Sequence, residues 1–440
     1  MKLPSTRQLM PIAALYSGRV GVAALGLIIL PWLSKSMPAA EFGLAATILS
    51  LQSLAVVLDL GLAMTASREL PPLDDTHAAQ TVVKRSERVL FLLYFGIAGA
   101  SGTLAAAGFI PVTLPIVLLT CISLLLIVWQ NIILVALISR QRFFISTSVQ
   151  FLSLFLRHCF SLALVTLTSG TLQSFIIGQV IGAAIVLIVS RQIFMRRHKP
   201  TNHSPKSVPS HSATNLAMMA YSIAGACAMQ LDKVLLSGLA SPALTGPYFL
   251  ASTLSLVPIA FLATPVAQFV QPKLIACIVR DQRDAAQRWI LRLTIALIAL
   301  SVIPGILLGI ASPSIVPVWL QGSADQDVVS SYVFLLMPGT SLGALGLVPA
   351  MVLIAKRDYR ALAAMSCVLT IAVLSTTAFL AAKNDIRGIC IAYALYHVLA
   401  AIALWWRAGQ IDASFPKPFV IGAYVAKRRR QPDAGNECQN

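Results

Sequence analysis

The chain has 440 residues, 57% of them apolar and only 11% charged, against about 25% charged in an ordinary soluble domain. With a mean hydropathy of +0.81 there is no polar shell to cover the apolar surface, which excludes a soluble multidomain enzyme and leaves a polytopic membrane protein. The 33 Lys and Arg against 16 Asp and Glu, a formal charge of +17, fit loops facing anionic membrane lipids rather than nucleic acid.

Apolar stretches separated by charged breaks predict twelve spans, at about 10–32, 41–66, 89–109, 112–138, 144–168, 171–192, 214–239, 247–271, 289–311, 328–354, 361–382 and 387–407. Runs of this length cross lipid as helices, because every backbone polar group is then bonded within its own segment. The first run is longer than a signal-peptide core and carries Arg19 near its middle, so it reads as a retained span.

Basic residues fall in every second loop. Lys84, Arg85 and Arg88 precede span 3, Arg140 and Arg142 precede span 5, and Lys273, Arg280, Arg283 and Arg288 follow span 8. The alternate loops hold only Lys35, Lys383 and Arg387. This alternation predicts a multi-pass membrane protein with both termini cytoplasmic. The Pro-, Ser- and His-rich stretch 195–213 reads as a cytoplasmic linker between two six-helix bundles, 1–194 and 214–407, followed by a basic cytoplasmic tail, 408–440. A weak internal echo relates Ser36–Gly43 to Ser241–Gly246.

Phosphate-loop, zinc-protease and nucleophile-elbow patterns are absent from the sequence. No cysteine spacing suits a metal, and the seven cysteines read as packing residues. The expectation is a protein that is not an enzyme and needs no cofactor. Chemistry therefore rests on polar residues inside the spans, where a charge costs about 2.5–3.5 kcal/mol and usually faces an interior or a wet cavity.

Span 5 carries Ser146, Gln150, Ser153, Arg157, Ser161 and Thr168 at helical spacing. Such a stripe either lines a polar cavity or forms a hydrogen-bonded seam with another helix. Arg19, Arg157 and Lys233 are candidate cavity cations, with Gln150, Ser153, Ser161 and Tyr221 on the polar face. Asp59, Asp232 and His397 are candidates for ion coupling. Asp232 and Lys233 are sequence neighbours whose directions differ by about 100° on a helix, which predicts that they are poor partners for each other. Gly178–Gly182, Gly305–Gly309 and Gly339–Gly343 predict close helix contacts. Pro258, Pro265, Pro304, Pro338 and Pro349 predict kinks in spans 8, 9 and 10.

Several segments together resemble polysaccharide-export flippases of the Wzx type, in the superfamily that includes MATE multidrug exporters. They are Glu41 to Ser50 with Leu58 to Leu62, Gln230 to Leu236, Gly246-Pro-Tyr248, Val270 to Leu274, Pro317 to Leu320 and Pro338 to Thr340. The resemblance implies an all-α, MATE-like fold of two six-helix bundles around a central cavity. It further implies transport of an undecaprenyl-pyrophosphate-linked oligosaccharide to the periplasmic leaflet, an H+ or Na+ gradient as driving force, and a polysaccharide polymerase with its chain-length machinery as partners. Cationic side chains in the cavity suit a pyrophosphate. Two alternatives remain at this point: a MATE-like exporter of drugs or other lipids, for which more intramembrane carboxylates would be expected, and a membrane enzyme of polysaccharide assembly, for which a large outer loop would be expected.

Overall fold

The computed structural model describes residues 21, 24–57, 76–108, 112–139, 142–196, 212–321 and 325–411. Arg19, Asp59, most of the linker and all but the first residues of the tail lie outside them. The described residues are helical throughout, with no strand among them. In chain order the helices are α1 (Ala24–Ser36), α2 (Ala39–Val57), α3 (Thr76–Ala106), α4 (Leu114–Ser139), α5 (Phe143–Leu167), α6 (Leu172–Arg196) and α7 (Ser212–Leu239). They continue with α8 (Pro242–Val279), α9 (Arg283–Ile310), the short α10 (Ser312–Leu320), α11 (Gln326–Ala355), α12 (Tyr359–Ala382) and α13 (Ile386–Ile411).

Ten of the described helices are long and apolar enough to cross a membrane. Helices α1 and α7 fill the places of the first and seventh expected spans. The described part of α1 is short, and α7 is made less apolar by Asp232, Lys233 and its small polar residues, so the count of twelve is approximate. The surface is the inverse of a soluble protein's. Phe95 is 82% and Leu92 76% exposed, while Gln179, Ser123 and Thr245 are fully buried. Apolar side chains outward and polar groups inward are what hydrocarbon selects.

Two compact units are present, Met1–Ser210 with Met229–Phe249, and His211–Ala228 with Leu250–Asn440. In the first, α6 packs on α4 and α5, α3 on α4, and α2 on α4 and α6. In the second, α13 packs on α11 and α12, and α8 and α9 pack on each other and on α11.

Glycines set the closest approaches. A Cβ at Gly178 would lie 2.4 Å from the backbone of Ser161, and one at Gly182 2.6 Å from that of Arg157. The α6 glycines thus form the groove that holds α5. In the second unit Gly305 faces Ser341 and Gly309 faces Met337, while Gly339 faces Ala394 and Gly343 faces His397. All three paired glycines are contact surfaces, as their spacing predicts. Backbone cannot yield, so Gly182→Leu should overpack the α5–α6 contact by at least about 1–3 kcal/mol and strip the protein from membranes. Gly96→Leu, where nothing lies within 4 Å of an added Cβ, should leave abundance unchanged on the same immunoblot.

The echo segments both start helices, and in the first unit they touch. A Cβ at Gly43 would lie 1.6 Å from the Pro242 carbonyl, and one at Gly246 2.7 Å from the Phe42 ring. Nearby, Glu41 Oε2 accepts a hydrogen bond from the Leu172 amide at 2.6 Å and so caps α6.

Irregular turns sit where prolines demand them. Proline lacks an N–H and clashes with the carbonyl four residues back. Pro265 and Pro304 each have that carbonyl within a wide turn, Pro258–Ala263 in α8 and Ile298–Val302 in α9. Pro349 has it in the tight turn Ala344–Gly346 of α11. At the break in α8 the Ser255 carbonyl lies 3.1 Å from the Thr340 hydroxyl of α11, which also reaches its own Leu336 and Met337 carbonyls.

Candidate functional site

The polar face of α5 divides on folding. Ser153 and Ser161 are buried, as is Ser146, whereas Gln150 is exposed. Ser153 donates to Gln130 Oε1 of α4 at 2.7 Å, and Ser161 donates to the Phe175 carbonyl of α6 at 2.9 Å. Gln179 of α6 returns a bond to Ser161 Oγ at 3.0 Å and approaches the Arg157 carbonyl at 3.5 Å. The serines therefore bind α5 to its neighbours and form a hydrogen-bonded helix seam.

Arg157 stands apart from that seam. It lies near the middle of α5, and its Nη1 donates to Gln52 Oε1 of α2 at 3.3 Å. Gln52 in turn donates through Nε2 to Ser123 Oγ of α4 at 2.9 Å. Arg157 Nε is buried and has no hydrogen-bond acceptor. No described carboxylate pairs with the guanidinium. His158, buried beside it, turns Nδ1 onto the Leu154 carbonyl of its own helix at 2.9 Å.

Asp232 and Lys233 correct the expectation of divergence. Both are buried, and Lys233 Nζ lies 3.0 Å from Asp232 Oδ1. The long lysine stem folds back along the preceding turn, where its ammonium also donates to the Met229 carbonyl. Tyr248 of α8 donates to Asp232 Oδ2 at 2.7 Å, so the pair fastens α7 to α8. Its charges cancel within the first unit.

Tyr221 and His397 belong to the second unit. Tyr221 packs half-buried against the core of α8, α9 and α11. His397 sits edge-on to Tyr393 and Tyr396, at centroid distances of 4.8 and 5.2 Å. The structure thus puts Ser153 and Ser161 in the helix seam, gives Arg157 a separate chain of contacts through Gln52 to Ser123, and pairs Asp232 with Lys233 elsewhere.

Sequence reasoning missed the partners. Gln52, Gln130 and Gln179 are amides set within long apolar spans, a signal visible in the sequence. It also missed Glu87, which accepts from Trp129 Nε1 at 2.9 Å and from Arg191 at 3.2 and 3.3 Å. Arg407 makes a comparable contact with Asp358 at 2.8 Å. Both arginines lie near the end of their helix, α6 and α13.

An all-helical, membrane-spanning chain with polar networks in its interior and no long extramembrane domain among the described residues has the architecture of a polytopic transporter-type membrane protein. It belongs to the polysaccharide biosynthesis protein family, whose model matches residues 11–274. Its fold is that of MATE transporters of the MOP superfamily. An inward-facing multidrug resistance MATE family transporter of that superfamily is 13% identical at a TM-score of 0.66, covering 91% of this chain and 94% of that one. An outward-facing structure of such a transporter gives 0.64 at 13% identity, covering 92% and 96%. A MOP superfamily transporter from Pyrococcus furiosus, described as having a binding pocket of reversed polarity, gives 0.63 at 13% identity, covering 94% and 99%. No curated protein matches the chain.

Proposed function

We propose that this protein is a flippase that carries undecaprenyl-pyrophosphate-linked oligosaccharide from the cytoplasmic to the periplasmic leaflet of a bacterial inner membrane, for O-antigen, capsule or exopolysaccharide assembly. Family membership supports the process, and one structural observation supports the chemistry: Arg157, a mid-membrane guanidinium with a neutral partner and no described counter-carboxylate. A desolvated pyrophosphate needs such a donor, and arginine keeps its charge where lysine gives it up. Gln150, exposed two turns before Arg157 on the same helical face, extends polar contact toward the sugar. The lipid tail stays in the bilayer while the head group crosses.

Movement follows alternating access driven by an H+ or Na+ gradient, with Asp232 and His397 as the described residues able to couple it. A cationic-drug exporter is less well supported, because Asp232 is already bonded to Lys233 and Tyr248. The protein works as a transporter rather than an enzyme and hands its cargo to a polysaccharide polymerase. Removing the protein from its host should cause lipid-linked sugar to accumulate on the cytoplasmic leaflet. Unchanged lipid-linked sugar with normal surface polymer would refute the proposal.

The orientation has its own check. A cysteine at Ser204, in the basic linker, should label only after the membrane is permeabilised, and one at Ser323 should label in intact spheroplasts. Both positions lie outside the described residues, and the expectation rests on the alternation of basic loops. Labelling of Ser204 from outside would invert the topology.

A further inference from the structure

Helices α8 and α9 meet through a tight turn at Asp281, whose φ is 53°. At this end of the second unit Lys273 of α8 holds its ammonium 4.2 Å from the Phe269 ring centroid and 5.2 Å from that of Trp289 on α9. The Arg292 guanidinium lies 5.6 Å from the same indole. Trp289 is anchored, half-buried, against the unit's apolar core. Two exposed cations are thus placed around one fixed ring. Neither pairs with a described carboxylate. Asp281 is engaged by Arg283 at 3.4 Å, and Asp284 lies one turn before Arg288.

Behind the cations the surface turns apolar on both helices. On α8 Lys273 is followed toward the membrane middle by Phe269 and Leu262, about 40% exposed each, and on α9 Arg292 is followed by Ile295, 55% exposed. The steps of three, four and seven residues keep each stripe on one helical face. Cations and an indole at headgroup depth, with an exposed aliphatic track behind them, match a single amphiphile: a phosphodiester at one end and acyl chains along the other.

We propose that Lys273, Trp289 and Arg292 form a binding site for the headgroup of an anionic phospholipid, with its acyl chains lying along Phe269, Leu262 and Ile295. The site involves none of the residues assigned to cargo, and the proposal stands whatever cargo the protein carries. Its ligand is a resident membrane lipid, and the positive loops put it in the cytoplasmic leaflet.

The test uses the purified full-length protein in detergent, titrated with phosphatidylglycerol and read by native mass spectrometry. Lys273→Gln with Arg292→Gln should weaken binding about thirtyfold, from roughly one unit of headgroup attraction per cation. Lys273→Arg should retain it. Phosphatidylcholine should bind no better to the wild type than to the double variant, and excess inorganic phosphate should fail to displace phosphatidylglycerol. Equal loss on replacing Arg85 and Arg88 of α3, equal binding of phosphatidylcholine, or displacement by inorganic phosphate would each overturn the site.

Discussion

Replacing Arg157 with alanine is expected to abolish polymer export while leaving the protein in the membrane at normal abundance. Truncating one side of a desolvated, hydrogen-bonded charge contact costs about 2–5 kcal/mol, a loss of about thirtyfold or more in flux. Arg157→Lys should keep part of the activity, since it supplies charge without the planar fork. The rival account makes Arg157 a structural partner of an acidic residue. Of its two candidates, Asp232 is bonded to Lys233 and Tyr248, and Asp59 lies outside the described residues. That account predicts reduced abundance for Arg157→Ala and rescue by Asp59→Asn. Immunoblots of membranes beside surface polysaccharide, for the single and double variants, separate the two.

The second large effect concerns the buried pair. Lys233→Met leaves Asp232 charged and buried without its counter-cation, and breaking one side of such a pair costs about 3–5 kcal/mol. Protein abundance should fall sharply. Adding Asp232→Asn removes the stranded charge while keeping an acceptor for Tyr248, so the double variant should recover most of the lost protein. Thermal aggregation of the detergent-purified variants measures both steps. If Lys233→Met is as stable as the wild type, the pair is not what fastens α7 to α8.

Those two residues also show where sequence reading stops. Helix geometry gives the direction of a Cα–Cβ bond, and on that basis Asp232 and Lys233 diverge. A lysine stem has four carbons with which to turn back, and burial favours neutralising the charge at 3.0 Å. The stripe on α5 was legible as a stripe, yet its use was not. Whether Ser153 and Ser161 face a cavity or a neighbour depends on Gln130 and on the Phe175 carbonyl, which belong to other helices. Most features fixed by local sterics were readable, although Pro338, expected to kink its span, lies inside the unbroken helical stretch Gln326–Gly343. Pro265, Pro304 and Pro349 mark the irregular turns, and Gly178 with Gly182 mark the groove for α5. Long-range polar pairing, such as Glu87 with Arg191 and Trp129, carries no local signature and emerged only with the fold.

The central claim is that the chain moves a pyrophosphate-linked glycolipid and that Arg157 grips its head. Flipping in proteoliposomes tests it most directly. The purified protein is reconstituted with undecaprenyl-pyrophosphate-linked oligosaccharide under an H+ or Na+ gradient, and sugar newly exposed on the far leaflet is followed with an impermeant lectin. Wild-type protein should expose the sugar well above the protein-free background, Arg157→Lys at a reduced rate, and Arg157→Ala at the background rate. Background flipping by the wild type under both gradients would contradict the proposed substrate, and wild-type flipping by Arg157→Ala would contradict the role given to the arginine.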